Sequence, residues 1–150
     1  MPGAYRIVPQ LNLMIATYRG AVGLDDQART MMAYRLDPAF RADQHVLIDF
    51  AHCTMEDLRH DAMQKVSQRI RKNFPDRGIT ARHAIYAPDA VTFQVVQVLK
   101  AMLSTAVWDV EVFRDRIAAL DWLELDRSRP EYRVLEDEWL RQGDGLPSHP

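Results

Sequence analysis

His45-Val46-Leu47-Ile48-Asp49-Phe50 runs into Ala51-His52-Cys53 and then into Thr54-Met55-Glu56-Asp57-Leu58. An apolar run of strand length, broken only by Asp49, stops at a tight connection, and an amphipathic segment follows as far as Ile70. Unbroken hydrophobicity over residues 46–50 suits a central strand covered on both faces. In the second segment Met55, Leu58, Ala62, Val66, Ile70 and Phe74 recur at spacings of three or four, the stripe of a helix. Glu56, Asp57 and Asp61 stand at its start and Arg69, Arg71 and Lys72 at its end, the signs a helix dipole favours. A strand that turns into a helix is the unit of an α/β sheet, and ligands tend to gather at such junctions.

Working outward, residues 5–8 form a short strand candidate that ends at Pro9. In residues 11–18, Leu11, Leu13 and Ile15 alternate with a mixed set, the period of a strand with one well-buried face. Residues 24–36 read as a helix, with Leu24, Ala28, Met31 and Arg35 on one stripe and Asp25 and Asp26 in the first turn. Asp37-Pro38 ends it, because the residue before proline avoids the helical region.

Downstream, Pro75-Asp76-Arg77-Gly78 is a turn and residues 84–87 another short strand. Asp89 is placed to cap a third helix carrying Val91, Phe93, Val95, Val96, Val98, Leu99, Met102 and Leu103. Apolar residues cover more than one of its faces, so burial on two sides is expected: inside the monomer, in a dimer interface, or as one wall of an apolar pocket. Residues 110–113 are the last strand, and residues 115–124 a helix with Ile117, Leu120 and Leu123 on one side.

This alternation predicts an α/β domain over residues 1–125, with a mixed, largely parallel sheet of four to five strands and crossover helices. Asp126-Arg127-Ser128-Arg129-Pro130 is then a linker, 131–141 a short helix with Tyr132, Leu135 and Trp139 on one stripe, and 143–150 a frayed tail. The stripe must bury on its own domain or on a neighbour's.

A chain of 150 residues, 47% hydrophobic and 27% charged, can bury a core without metal or disulfide staples. The net charge of −2 gives no basic surplus for nucleic acid. The single Cys53 makes no internal disulfide and suits a reducing, cytoplasmic setting. The start lacks a basic segment followed by an apolar one, so no signal peptide is expected, and residues 91–107 contain Gln94, Gln97 and Lys100, so no membrane span.

Around the opening stretch the residues offer several chemistries, each beside a plainer role. Thr54 is placed to cap the following helix, with Asp57 returning the bond as in a capping box; a phosphate on Thr54 would meet Glu56 and Asp57. Cys53 ahead of a helix N-terminus, with His52 and His60 near, suggests a thiol nucleophile; burial as a structural cysteine is the plainer role. His52, Cys53, His60 and His83 lack the paired spacing of a zinc site, so neither metal nor cofactor is expected. Arg69, Arg71, Lys72 and Arg77 read as cations completing a helix C-terminus.

The order of elements resembles the SpoIIAA-like fold of STAS domains and related small bacterial proteins. Leu11-Asn12-Leu13-Met14-Ile15 followed by Gly20 is similar to that family's second strand, and Val46-Leu47-Ile48-Asp49-Phe50 to its central strand, an apolar run with an Asp. Glu111-Val112-Phe113 followed by Ala119-Leu120-Asp121-Trp122-Leu123 resembles its closing strand and helix, so the likeness spans residues 5–125. It implies a regulatory or ligand-binding module rather than an enzyme. Where the anti-sigma-factor antagonists carry an Asp-Ser-Ser-Gly-like switch, this chain has Asp57-Leu58-Arg59-His60, without the phosphoacceptor serine. Where many relatives carry a Phe-Gly-x-x-Arg-Met-like run, it has Phe93-Gln94-Val95-Val96-Gln97-Val98, without the arginine.

The expected function is therefore a non-catalytic regulatory or protein-interaction module, a homodimer with a protein regulator as a further partner. Its partner or regulatory surface is Thr54, Glu56, Asp57, Arg59 and His60, with the third helix (Val91, Phe93, Val95, Val98, Leu99 and Met102) as dimer helix or pocket wall. The alternative is a small apolar-ligand or lipid binder, as in the CRAL-TRIO carriers whose fold is similar.

Overall fold

The central strand is longer than its apolar run. In a computed structural model, which describes residues 3–55, 59–73, 81–103 and 109–142, β3 spans His45–Met55. The other strands are β1 (Gly3–Val8), β2 (Leu13–Val22), β4 (Arg82–Tyr86) and β5 (Asp109–Phe113). The helices are α1 (Leu24–Arg35), α2 (His60–Asn73), α3 (Ala90–Leu103), α4 (Arg116–Trp122) and α5 (Pro130–Arg141). The order of strands and helices is the one the sequence periodicities predict, with a 3-10 turn at Pro9–Leu11 joining the first two strands.

The five strands lie in sequential order, β1 antiparallel to β2 and every later pair parallel. Each parallel connection crosses over through one helix, and right-handed crossovers that always step in the same direction leave their helices on one face. Accordingly α1, α2 and α3 supply Ala28, Met31, Met63, Val66, Val96 and Leu99 to one core, together with Met14, Val46 and Phe50 of the sheet. The opposite face, with Leu13, Ile15, Leu47 and Tyr86, is covered by Leu120 and Leu123 at α4 and by Tyr132, Leu135 and Trp139 of α5. The tail stripe thus buries on its own domain, where large apolar side chains each contribute about 1.5–3 kcal/mol. A sheet that never reverses its order has no switch-point crevice, the usual ligand position in open α/β sheets.

The termini of the helices follow local chemistry. Asp26 accepts the Gly23 N–H at 2.9 Å and so closes the first turn of α1. Asp89 accepts the Thr92 N–H at 3.0 Å, the cap its position predicts, and Asp115 accepts the Ala118 N–H at 2.9 Å. Gln44, fully buried, accepts from the Tyr34 hydroxyl at 2.6 Å and donates to Ala39 O at 3.2 Å, which fixes the loop into β3. No helix among the described residues is long and apolar enough to cross a membrane.

Candidate functional site

Beyond Asp49, β3 changes its habit. Thr17 of β2 pairs with Asp49, and Arg19 pairs with His52, so Phe50 and Ala51 stand opposite Tyr18 alone. This is a β-bulge, and the Ala51 N–H that it takes out of the ladder donates to Asp49 Oδ1 at 2.8 Å. The extra residue shifts the alternation. Val46, Ile48 and Phe50 face the α1–α3 layer before the bulge, and Cys53 and Met55 face it afterwards.

The bulge decides the fate of three expected residues. Thr54 is exposed and lies in β3 opposite Ala21, so it does not cap α2. The strand continues because β2 remains beside it to Val22, and pairing overrides the local Thr-x-x-Asp signal. Cys53 is half-buried and its Sγ donates to Phe50 O at 3.5 Å. Desolvation first, and the nearby Asp49 second, push its thiol up to about 12, the reverse of activation by a helix N-terminus. His52 and Cys53 are consecutive in a strand and point to opposite faces, so they form no nucleophilic pair.

A cleft of about 460 Å³ opens where β2 and β3 end, with Gly20, Thr54 and Met55 on one side and Asp89, Val91 and Thr92 on the other. It brings Thr54 together with Val91, one from each expected group. Gly20 there has φ +73°, in the left-handed region that glycine enters without strain. Arg59 is exposed and belongs elsewhere, in a cleft of about 260 Å³ with Asp25, Asp61, Lys65 and Arg69. Its carbonyl accepts the Met63 N–H at 3.1 Å at the start of α2. Glu56 and Asp57 lie outside the described residues, as does the side chain of His60.

The third helix buries one stripe, not two sides. Thr92, Val96 and Leu99 are buried, Phe93, Val95 and Met102 half-buried, and Val91 and Val98 are 66% and 42% exposed. The reason is position: α3 packs on β5 at the sheet edge, with α2 on one flank and Val91 and Val98 left exposed. Of its expected pocket residues, Leu99 lines an internal space of about 30 Å³ beside Tyr18 and His83, and Val91 lines the open cleft of about 460 Å³.

The pair that sequence reading missed is Asp49 with Arg116. Both are buried, with Arg116 Nη1 3.6 Å from Asp49 Oδ2. The guanidinium lies over the rings of Tyr86 at 4.4 Å and Trp139 at 4.3 Å, which pack edge-on against each other, and Trp139 Nε1 donates to Arg116 O at 3.0 Å. The signal available was Asp49 itself, since a carboxylate in a doubly covered strand needs a cation. Among the described residues, no cluster of three or more His, Cys, Asp or Glu could hold a metal ion. A scan against protein-family models finds no match to the chain, and neither does a search of curated proteins.

Proposed function

We propose that this chain is a non-catalytic protein-interaction module of SpoIIAA-like, STAS-like type, working in the cytoplasm as a homodimer. The element order and the Asp in the central strand support that kinship. The observation that carries the interaction reading is the outer face of α3, where Val91 and Val98 are exposed with Val95 half-buried between them. These residues are four and three apart, one stripe of a helix, and the helix packs on edge strand β5. A second copy is the simplest cover for such a stripe, because under a two-fold axis a single self-complementary patch suffices. A protein regulator would then act at the Thr54 end of the same surface, without the serine switch of the relatives.

Size-exclusion chromatography with light scattering tests this. At high micromolar concentration the wild-type chain should run at twice the single-chain mass, and the variant V91E/V98E at the single-chain mass. A strictly monomeric wild type refutes the homodimer. The apolar-ligand alternative draws no support from the cavity that Leu99 lines, since about 30 Å³ is far below the roughly 300 Å³ at which small-molecule pockets begin.

A further inference from the structure

Strand β3 outruns its neighbour on one side only. β4 pairs with it from Val46 to Asp49, whereas β2 stays beside it as far as Met55. After Tyr86 the pairing with β3 ends: the Ala87 N–H continues the β5 side, donating to Phe113 O at 2.8 Å, and Pro88 has no N–H to offer. Among the described residues, residues 51–55 therefore have no strand against their β4-side edge. That edge borders the cleft of about 460 Å³, whose far wall is Asp89, Val91 and Thr92 at the start of α3.

We propose that this cleft takes an extended peptide segment of a partner protein, which joins the sheet as a short strand beside residues 51–55 in the lane that β4 vacates. This rests on the reading of the chain as an interaction module and names the chemistry of its partner. The fit is one of size and of bonding. A strand residue fills about 3.3 Å along its axis, ~4.8 Å between neighbours and ~10 Å between layers, or roughly 160 Å³. The cleft thus holds about three such residues. A strand edge presents alternating N–H and C=O groups, which an extended backbone matches and a globular surface does not. Such strand addition takes its affinity from main-chain bonds and its selectivity from alternate side chains. Here Met55 favours a small or β-branched apolar residue, and Thr54 offers a hydroxyl at the rim.

Selection of a phage-displayed random octapeptide library on the full chain tests this. The best peptide is then synthesised plain and with N-methyl groups on either set of alternate residues. One methylated series should bind at least tenfold more weakly than the plain peptide and the other should bind like it, because only one set of N–H groups faces β3. Amide shifts of the labelled protein should centre on residues 20–21 and 51–55. The variant Ala21→Trp, at an exposed position on the rim, should weaken binding at least tenfold with its melting temperature unchanged. Shifts centred elsewhere, equal affinity of both methylated series, or the failure of any peptide to enrich would overturn the proposal. A homodimer that selects no peptide refutes the cleft alone; a monomer that binds one at residues 51–55 refutes the homodimer alone.

Discussion

Replacing Asp49 by asparagine leaves the shape of the bulge intact and removes only its charge. Oδ1 can still accept the Ala51 N–H, while Arg116 loses the carboxylate 3.6 Å from its Nη1. At that separation two unit charges attract by about 5 kcal/mol with an effective dielectric constant near 20. Desolvation offsets much of this in the intact pair, so the pair itself adds little net stability. Removing one partner is another matter, since the arginine stays buried against Tyr86 and Trp139 without the Asp49 carboxylate. The expected loss for D49N is about 3–5 kcal/mol. In a chain of this size it would lower the melting temperature by roughly 10 °C or more. D49A should lose about 1–2 kcal/mol beyond that, because the Ala51 N–H then lacks its acceptor.

R116M, which keeps an apolar side chain against the two rings, should also be destabilised, because the Asp49 carboxylate then loses its cation. The double variant D49N/R116M should recover about 2–3 kcal/mol of the summed losses. Urea denaturation followed by tryptophan fluorescence suits the measurement, because Trp139 lies 4.3 Å from the guanidinium and senses its surroundings directly. A loss below about 1 kcal/mol for D49N, or strictly additive losses in the double variant, would refute the ion pair as the organiser of this face.

Two further outcomes follow from titration. At pH 8 a thiol moved from 9.0 to about 12 has about a thousandfold less thiolate. Iodoacetamide should therefore label Cys53 in the folded chain at least a hundredfold more slowly than in urea, and comparable rates would show an accessible thiol. The Asp26 carboxyl is held below its ordinary value of 3.8, first by the Gly23 N–H and then by Arg29. A lowered folded pKa contributes stability that is present above the unfolded value and lost as pH falls through the folded one. D26N should therefore melt below wild type at pH 7, and the gap should close as the pH drops below 4; a gap constant with pH would count against the carboxylate.

Much of the fold was legible because its signals are local. The strand at Leu13 and Ile15, the stripe of Ala62, Val66 and Ile70, and the cap at Asp89 each need only a few neighbouring residues. The expected single buried face of that strand is corrected: Met14, Ala16 and Tyr18 bury on its other face under the helices, and Leu11 belongs to the turn before it. The candidate site was less legible. Thr54 carries a local cap signal, yet the neighbouring β2 holds it in a strand. The valines of α3 read as doubly buried because a sequence does not say that their helix lies at a sheet edge with one flank open.

The sequence by itself determined the order of elements and which residues face inward along most of them, since hydrophobic periodicity is written residue by residue. Only the tertiary structure decided what stands beside what. It lengthened β3 past Phe50 by giving it β2 as a partner, and it turned Cys53 inward through a one-residue bulge. It also brought Arg116, at the start of α4, to Asp49 in β3. These depend on contacts between residues remote in sequence, which leave no local pattern beyond a lone aspartate in an apolar strand.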